Sequence, residues 1–277
     1  METFFSFLER RIDDCSSLLC IGLDPHVSDL EQPSAASALE FSLNIIKQTA
    51  PYAAAFKPNA AFFEQFGSRG WSALKEVIAA IKHESHRMGS RIPVILDAKR
   101  GDIASTAEAY AESTFSRLGA HGITLSPYLG KDSIDPFIEN QENGVFLLCK
   151  TSNPGSGDLQ DLQLEGGDLL YERVARLASQ WNTKNNIGLV VGATQPEALA
   201  RVRAIAPDLW FLAPGVGAQG GDLETALNAG LRNDGKGMLL PVSRGISRAA
   251  NPAQAASELR DQIIALQHQL RPDFTRR

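Results

Sequence analysis

Short apolar runs alternate with longer amphipathic stretches along this chain. Eight apolar runs predict β-strands, at residues 18–23, 53–56, 93–96, 122–125, 145–149, 187–191, 210–213 and 238–242. Between them, helical spacing and helix-favouring residues predict helices at 71–88, 104–118, 169–181, 195–205, 223–229 and 253–270. An amphipathic helix within residues 1–15, with apolar side chains at positions 4, 5, 8 and 12, precedes the first strand.

This alternation predicts an α/β fold class. Near-continuous apolar strands that alternate with helices are typical of a parallel sheet covered on both faces. Eight such units favour a single (β/α)8 TIM barrel over an open doubly wound sheet, and the 277 residues fit a barrel that needs about 250. Since no linker interrupts the pattern, we expect one domain over residues 1–277.

The composition of the chain argues against several classes of function. The chain has 27 basic and 32 acidic residues, a net charge of -5, and no long block of like charges, which argues against a nucleic-acid partner. No apolar run approaches the roughly 18 residues that span a bilayer, so no membrane association is expected. The three cysteines and five histidines lack ligand-like spacing, which predicts no metal site and reduced core thiols in a cytoplasmic protein.

The third predicted strand runs directly into a charged motif, Asp97-Ala98-Lys99-Arg100-Gly101-Asp102. Alternation along a strand puts Asp97 and Lys99 on one face, with Asp102 just past the strand end. Burying such charges is costly unless they pair closely, and a purely structural strand has little reason to carry them. The motif therefore indicates an active site, with an ion-pair cluster tying the strand to the next helix as the structural alternative.

Other strands also end in polar residues, and the active site of a TIM barrel lies at that rim. Asp24 follows the first strand and Lys57 ends the second, where Pro58 favours extended geometry. The fifth strand leads into Ser152 and the long segment 151–168, which is expected to act as a lid rather than a linker.

The loops after the seventh and eighth strands are rich in glycine, which predicts a phosphate site. They supply Pro214, Gln219, Ser243 and Arg244 as candidate ligands. Residues 215–220 also match the G-x-G-x-x-G dinucleotide pattern. We interpret that match as incidental, because it follows the seventh strand and continues as loop where a helix should begin.

Taken together, these motifs resemble the orotidine 5′-phosphate decarboxylase family, in particular its longer bacterial subgroup. The resemblance runs from about residue 18 to 256 and rests on six elements in order: Asp24 in Gly-Leu-Asp-Pro, Lys57, the Asp97-x-Lys99-x-x-Asp102 motif, Ser152 before Asn-Pro-Gly, the loop after the seventh strand, and Arg244. Asn153 stands where some members have histidine.

The resemblance implies a cofactor-independent decarboxylation of orotidine 5′-phosphate to uridine 5′-phosphate, the last step of de novo UMP synthesis. Lys99 would protonate C6 of the pyrimidine, Asp97 would lie beside the leaving carboxylate, and Lys57 would bridge Asp97 and the ribose. Asp102, with Ile103 and Thr106, would enter the site of a second subunit, which implies a homodimer. The implied substrate-binding residues are Asp24 for the ribose, Ser152 for the pyrimidine, and Pro214, Gln219, Ser243 and Arg244 around the phosphate.

Two rival functions stay open at this stage. Mg²⁺-dependent sugar-phosphate decarboxylases or aldolases of the same barrel family share the Asp-x-Lys-x-x-Asp motif. They hold the metal partly with a carboxylate from the second strand, whereas this chain has Lys57, which cannot ligate Mg²⁺. A non-catalytic sensor of nucleotide monophosphates would explain the phosphate loops but not the charged motif.

Overall fold

A computed structural model describes residues 2–216 and 221–272 of the chain. Eight parallel strands form one sheet in the order β2-β1-β8-β7-β6-β5-β4-β3. They are β1 (Leu19–Leu23), β2 (Ala55–Pro58), β3 (Ile95–Arg100), β4 (Gly122–Leu125), β5 (Gly144–Lys150), β6 (Ile187–Val191), β7 (Phe211–Leu212) and β8 (Met238–Val242).

The two end strands of that order, β2 and β3, meet and close the sheet into a barrel. Parallel bridges join Phe56 to Val94 and Asn59 to Asp97. The amide of Ala60 also donates to the carbonyl oxygen of Asp97, with a separation of 3.1 Å. The predicted (β/α)8 barrel is therefore confirmed. All eight predicted strands are present, although β7 has only two residues and β3 and β5 reach further than predicted.

Helices lie between the strands and cover the barrel. They are α1 (Phe4–Cys15), α2 (Ala35–Thr49), α3 (Ala61–Glu64), α4 (Gly67–Met88), α5 (Ala104–Glu112), α6 (Asp135–Ile138), α7 (Leu170–Trp181), α8 (Pro196–Ile205), α9 (Leu223–Gly230), α10 (Arg244–Ser247) and α11 (Pro252–Leu270). The helix predicted over 104–118 is α5 followed by a π-helical stretch, Ser113–Leu118.

Helix α2 was not predicted from the sequence. Its buried face includes Ser42 and Thr49 beside Ile45 and Ile46, so polar residues interrupt the apolar period. Burial is possible because both hydroxyls donate to carbonyl oxygens one turn back, Ser42 to Ala38 at 2.8 Å and Thr49 to Ile45 at 2.7 Å. A hydropathy pattern therefore misses this helix, because it does not show that Ser42 and Thr49 can be buried once their hydroxyls bond to the helix backbone.

Aromatic side chains fill the end of the barrel where the strands begin. Phe4 and Phe5 of α1 pack on Phe146 of β5 with edge-to-face geometry, and Phe5 stacks on Trp210 just before β7. A methyl group at Gly144 would lie 2.2 Å from the ring of Phe4, so the strand needs glycine there. Helix α1 thus closes one end of the barrel and leaves the opposite rim for the site.

In the described part of the chain, no helix combines the length and the apolar character needed to cross a membrane. The three cysteines, Cys15, Cys20 and Cys149, are buried and form no disulfide. Burial raises the pKa of Cys15 to about 11 and that of Cys20 to about 12. These thiols therefore stay protonated and belong to the core, as the sequence predicted.

Candidate active site

A cavity of about 660 Å³ opens where the strands end. Its walls contain eight of the residues predicted as site residues: Asp24, Lys57, Asp97, Lys99, Ser152, Pro214, Ser243 and Arg244. They come from the ends of six strands that are far apart in sequence. The parallel barrel brings them together because the carboxyl ends of all its strands face the same rim.

Three charged side chains form a row across the floor of the cavity. Lys57 Nζ lies 2.6 Å from Asp97 Oδ2, and Lys99 Nζ lies 2.5 Å from Asp97 Oδ1. Lys57 and Asp97 are buried, whereas the side chain of Lys99 is 51% exposed and faces the open cavity. The carboxylate is therefore held between two ammonium groups, one of which is accessible to a ligand.

These pairings keep Lys57 and Asp97 charged. Burial alone would favour the neutral amine of Lys57, but the charges of Asp97 and Asp24 hold its pKa above the ordinary lysine value. Burial likewise opposes ionisation of Asp97, yet Lys57 and Lys99 hold the pKa of that carboxyl well below its ordinary value. At neutral pH Lys57 and Asp97 therefore form an ionised pair in the cavity floor.

Strand β3 reaches this arrangement through an irregularity rather than by the regular alternation expected from sequence. Its pairing with β4 shifts between Leu96 and Arg100, and Lys99 adopts the left-handed backbone region with φ of 49°. Asp97 and Lys99 do share a face, as predicted. The physical reason is different, because the bulged backbone turns Lys99 back towards Asp97.

Two polar atoms in the cavity wall have no hydrogen-bond partner within the described protein. They are Asp24 Oδ1, after β1, and Ser243 Oγ, after β8, and both are buried. Leaving such atoms unpaired costs free energy unless a ligand or water satisfies them. Their position in the wall fits contact with a polar ligand such as a sugar.

The segment after β5 folds against the cavity. Thr151, Ser152, Asn153 and Gln160 all line it. The amide of Thr151 donates to Gln160 Oε1 at 2.8 Å, which joins the beginning of the segment to its middle. Part of the segment 151–168 therefore forms a wall of the cavity, and its action as a lid stays a prediction.

Another part of the wall comes from the loops after β7 and β8. Pro214, Gly215 and Val216 line it, together with Ser243 and the exposed Arg244. Gln219 lies outside the described residues, as do Gly217 and Gly220 of the G-x-G-x-x-G match. Helix α9 begins only at Leu223, after Asp222 caps it by accepting from the amide of Thr225 at 2.8 Å.

The sequence model of the orotidine 5′-phosphate decarboxylase / HUMPS family matches residues 17–259. This range includes every strand and every side chain of the charged row. The chain belongs to this family.

Individual decarboxylases are similar over nearly the whole length. An orotidine 5′-phosphate decarboxylase of Roseiflexus castenholzii is 48% identical over 273 residues, covering 95% of this chain and 97% of its own. The structure of Leishmania donovani OMP decarboxylase is 54% identical, with a TM-score of 0.86, and the match covers 96% of this chain and 98% of that one. The structure of Leishmania donovani UMP synthase is 56% identical with a TM-score of 0.88, and this chain covers 57% of its length.

Two residues that the family resemblance implicates lie apart from the cavity of their own chain. Asp102 accepts from the amide of Ile103 at 2.8 Å, and Thr106 is exposed on the first turn of α5. Neither lines the cavity. This position is compatible with the expectation that these residues serve a second subunit of the decarboxylase.

Several residues that line the decarboxylase cavity were not singled out from the sequence: His26, Asn59, Phe62, Thr124, Thr151 and Gln160. Asn59 follows Lys57-Pro58 directly, and Thr124 is the polar residue of an otherwise apolar strand, so both carried a local signal. Gln160 carried none, because only the folding of the segment after β5 brings it to the wall.

No group of three or more histidine, cysteine, aspartate or glutamate side chains within residues 2–216 and 221–272 is arranged to hold a metal ion. At the end of β2, the position that carries a metal-binding carboxylate in the rival enzymes holds Lys57. Its ammonium forms an ion pair with Asp97 instead.

Proposed function

We propose a mechanism by which this cavity converts orotidine 5′-phosphate into uridine 5′-phosphate and CO₂, the reaction that family membership and the similar decarboxylases assign to the chain. The reaction completes UMP synthesis. The observation that carries the proposal is the row of Lys57, Asp97 and Lys99 at the cavity floor.

Decarboxylation breaks the bond between C6 of the pyrimidine and the carboxyl carbon. The electron pair stays on C6 in the plane of the ring, where π delocalisation does not reach it. Lys99 stabilises this pair with its positive charge and then donates a proton from Nζ to C6, while CO₂ departs. Solvent afterwards returns a proton to the lysine.

The charge of Lys99 accounts for part of the rate. An ammonium about 3 Å from the carbanion contributes about 5 kcal/mol at an effective dielectric near 20, which is about four powers of ten. Known enzymes lower barriers by about 8 to 23 kcal/mol, so other interactions contribute too. Contacts with the remote phosphate supply them when they hold the ring in place.

Asp97 and Lys57 organise the proton donor. Asp97 stays ionised because both lysines hold its pKa down, and Lys57 stays protonated beside it. With Lys57 anchoring one carboxylate oxygen, the other oxygen orients Lys99. By the family resemblance, Asp97 would also lie beside the departing carboxylate of the substrate and repel it, a repulsion that decarboxylation removes.

The remaining side chains orient the nucleotide. We assign the ribose hydroxyls to Asp24, whose buried Oδ1 has no partner within the described protein. We assign the pyrimidine to Ser152 in the segment after β5. The phosphate is assigned to Arg244 with Pro214 and Ser243, and by family resemblance also to Gln219, since a guanidinium and loop amides suit a dianion.

We further propose that the enzyme is a homodimer in which Asp102 and Thr106 complete the site of the partner. Two observations support this. Neither residue lines the cavity of its own chain. Apolar side chains that follow the same strand ends are exposed, Ile103 by 52% and Tyr128 by 78%. Ile103 and Tyr128 follow the neighbouring strands β3 and β4, and exposed apolar groups of this size are typical of an interface.

A cytoplasmic location is part of the proposal. The three thiols are unpaired and buried, which suits a reducing compartment. The substrate is also a metabolite of nucleotide synthesis.

The test is release of CO₂ from orotidine 5′-phosphate by the purified chain, measured with and without EDTA. The proposal expects equal activity in both conditions. Loss of activity with EDTA that is restored by Mg²⁺ would assign the metal-dependent rival. Tight binding of uridine 5′-phosphate without CO₂ release would assign the nucleotide sensor.

A further inference from the structure

Thr124 is a buried polar residue in the middle of β4, with 1% of its surface exposed. Its hydroxyl makes three hydrogen bonds. It accepts from the amides of Ala98 at 3.1 Å and Lys99 at 2.9 Å, and it donates to Asp97 Oδ1 at 3.0 Å. A hydroxyl has one proton and two lone pairs, so this group is fully used, and all three partners belong to the charged motif.

The hydroxyl replaces a part of the sheet that is missing. Residue pairing between β3 and β4 runs from Leu96 with Ile123 directly to Arg100 with Leu125. Three residues of β3 therefore face one residue of β4, and these three have no regular ladder pairing on the β4 side. Thr124 supplies the acceptor for two of their amides from its side chain instead of from its backbone.

One of these amides belongs to a strained residue. Lys99 has φ of 49°, in the left-handed region that costs a non-glycine residue about 1–2 kcal/mol. The hydrogen bond from its amide to Thr124 Oγ1 helps to hold that conformation. The same conformation returns the lysine side chain to Asp97, where Nζ lies 2.5 Å from Oδ1.

We propose that Thr124 is a positioning residue for the decarboxylation. Its hydroxyl holds the bulge of β3 and the carboxylate of Asp97 in one geometry, so that the ammonium of Lys99 is aimed at C6 of the pyrimidine. Thr124 transfers no proton to the substrate. The inference rests on the roles proposed above for Asp97 and Lys99.

Two pairs of variants isolate the hydroxyl. Thr124→Val keeps the shape of the wild-type side chain and removes the hydroxyl, and Thr124→Ser and Thr124→Ala differ from each other by the hydroxyl alone. We expect kcat to fall at least about 100-fold from threonine to valine and from serine to alanine, because a misdirected ammonium loses much of its effect on the transition state. KM should change less than about threefold, since the groups assigned to ribose and phosphate are untouched.

A matched control separates positioning from stability. Thr49→Val removes the hydroxyl of an equally buried threonine in α2, which donates to the carbonyl oxygen of Ile45 at 2.7 Å. It should lower the thermal midpoint and leave kcat unchanged. If Thr124→Val behaves in the same way, the hydroxyl is structural and the proposal is wrong.

A second measurement follows formation of the C6 carbanion from a nucleotide that carries no carboxylate. Lys99 should promote exchange of the C6 proton of uridine 5′-phosphate in D₂O, which NMR can measure. We expect Thr124→Val to slow exchange at least about tenfold at saturating nucleotide, and Thr124→Ser to restore most of it. Wild-type exchange rates in Thr124→Val, or a serine variant as slow as alanine, would overturn the proposal.

The wild-type protein and Lys99→Ala are measured alongside. Absence of CO₂ release from wild type, or full turnover by Lys99→Ala, would refute the proposed mechanism itself. Normal results for both, together with an unaffected Thr124→Val, would refute only the positioning role. If Thr124→Val does not fold, the comparison of Thr124→Ser with Thr124→Ala replaces it. A kcat at least about 100-fold lower for alanine than for serine supports the positioning role, and a smaller difference refutes it.

Discussion

At the scale of single residues, the site depends on a buried carboxylate whose hydrogen-bond capacity is almost fully used. Asp97 accepts from Lys57, Lys99 and the hydroxyl of Thr124. Breaking one partner of such a buried group is strongly destabilising, because the remaining charge stays buried without compensation. The two lysines differ in their surroundings, since Lys57 is buried and Lys99 is half exposed and accessible to a ligand.

Lys99→Ala tests the proton donor. We expect kcat to fall by at least about four powers of ten, since the alanine removes both the charge and the proton. Binding of uridine 5′-phosphate should change little, because phosphate and ribose contacts remain, and isothermal titration calorimetry measures it. Lys131→Ala is the control, as this lysine forms an exposed ion pair with Asp135 and lies outside the cavity wall. Substantial decarboxylation by Lys99→Ala would remove the proposed donor.

His121, far from the cavity, gives the fold a pH dependence. Burial, with Lys82 and Arg91 nearby, lowers its pKa from 6.5 to about 4, and its Nδ1 accepts from the amide of Val94 at 3.1 Å. Since the folded pKa lies below the unfolded one, the stabilisation is complete above pH 6.5 and is lost as the pH falls towards 4. A difference of this size corresponds to about 3 kcal/mol.

Urea unfolding of wild type and His121→Asn between pH 7 and pH 4 checks this contribution. Asparagine can keep the accepted hydrogen bond but does not titrate, so its stability should decline less over this range. His83→Asn, at an exposed position of α4, should decline like wild type. Parallel curves for wild type and His121→Asn would contradict the assignment.

At the scale of elements, a buried lysine ties the segment 151–168 to the end of β5. Lys150 Nζ, at the end of β5, lies 2.6 and 2.7 Å from the two carboxylate oxygens of Asp161 and 3.2 Å from Ser156 Oγ. Lys150 is 4% exposed, whereas the side chain of Asp161 is 46% exposed. Opening the segment would therefore hydrate the carboxylate easily but leave the ammonium buried and unpaired.

This asymmetry predicts unequal effects of the two obvious substitutions. Asp161→Asn leaves the buried ammonium of Lys150 without its charged partner and should lower the free energy of unfolding by about 3 kcal/mol. Lys150→Met removes the buried charge itself and should lower it less. Urea unfolding measures both, and hydrogen exchange shows whether the loss is local to residues 151–168. Asp168→Asn, which breaks the exposed pair with Arg176, is the control and should change the free energy of unfolding little. Equal costs for Asp161→Asn and Lys150→Met would argue against the asymmetry.

At the scale of the whole molecule, the proposed dimer determines whether the site is complete. The cavity of one chain contains Lys57, Asp97 and Lys99 but not Asp102. If Asp102 comes from the partner, defects in Lys99 and Asp102 fall on different chains of a mixed dimer. One of its two sites is then intact.

Subunit mixing tests this arrangement. Equal amounts of Lys99→Ala and Asp102→Ala, each nearly inactive alone, should regain about a quarter of wild-type activity after random exchange, since about half of the dimers are mixed and each has one intact site. A mixture of Lys99→Ala and Lys57→Ala is the control and should stay inactive, because both residues serve the same chain's site. Mixed dimers verified by mass spectrometry that remain inactive would exclude the sharing of Asp102.

The sequence by itself determined the barrel and most of the site. Apolar runs and helical periods are local properties, and strands that alternate with helices leave few ways to bury both faces of a sheet. Because all parallel strands end at one rim, Asp24, Lys57, Asp97, Lys99, Ser152 and Arg244 could be placed together before their contacts were known.

Only the tertiary structure decided what holds these groups in place. The bulge in β3, the three hydrogen bonds of Thr124 and the aromatic closure by α1 involve residues that are distant in sequence, as with Thr124 and Asp97, 27 positions apart. Gln160 likewise reaches the cavity wall only because the segment after β5 folds back on Thr151. The hydroxyls of α2 are satisfied locally, one turn back, but only packing decides that this face of the helix is buried. Local patterns report which side chains prefer burial, but the partners that satisfy a buried polar group are chosen when the chain packs.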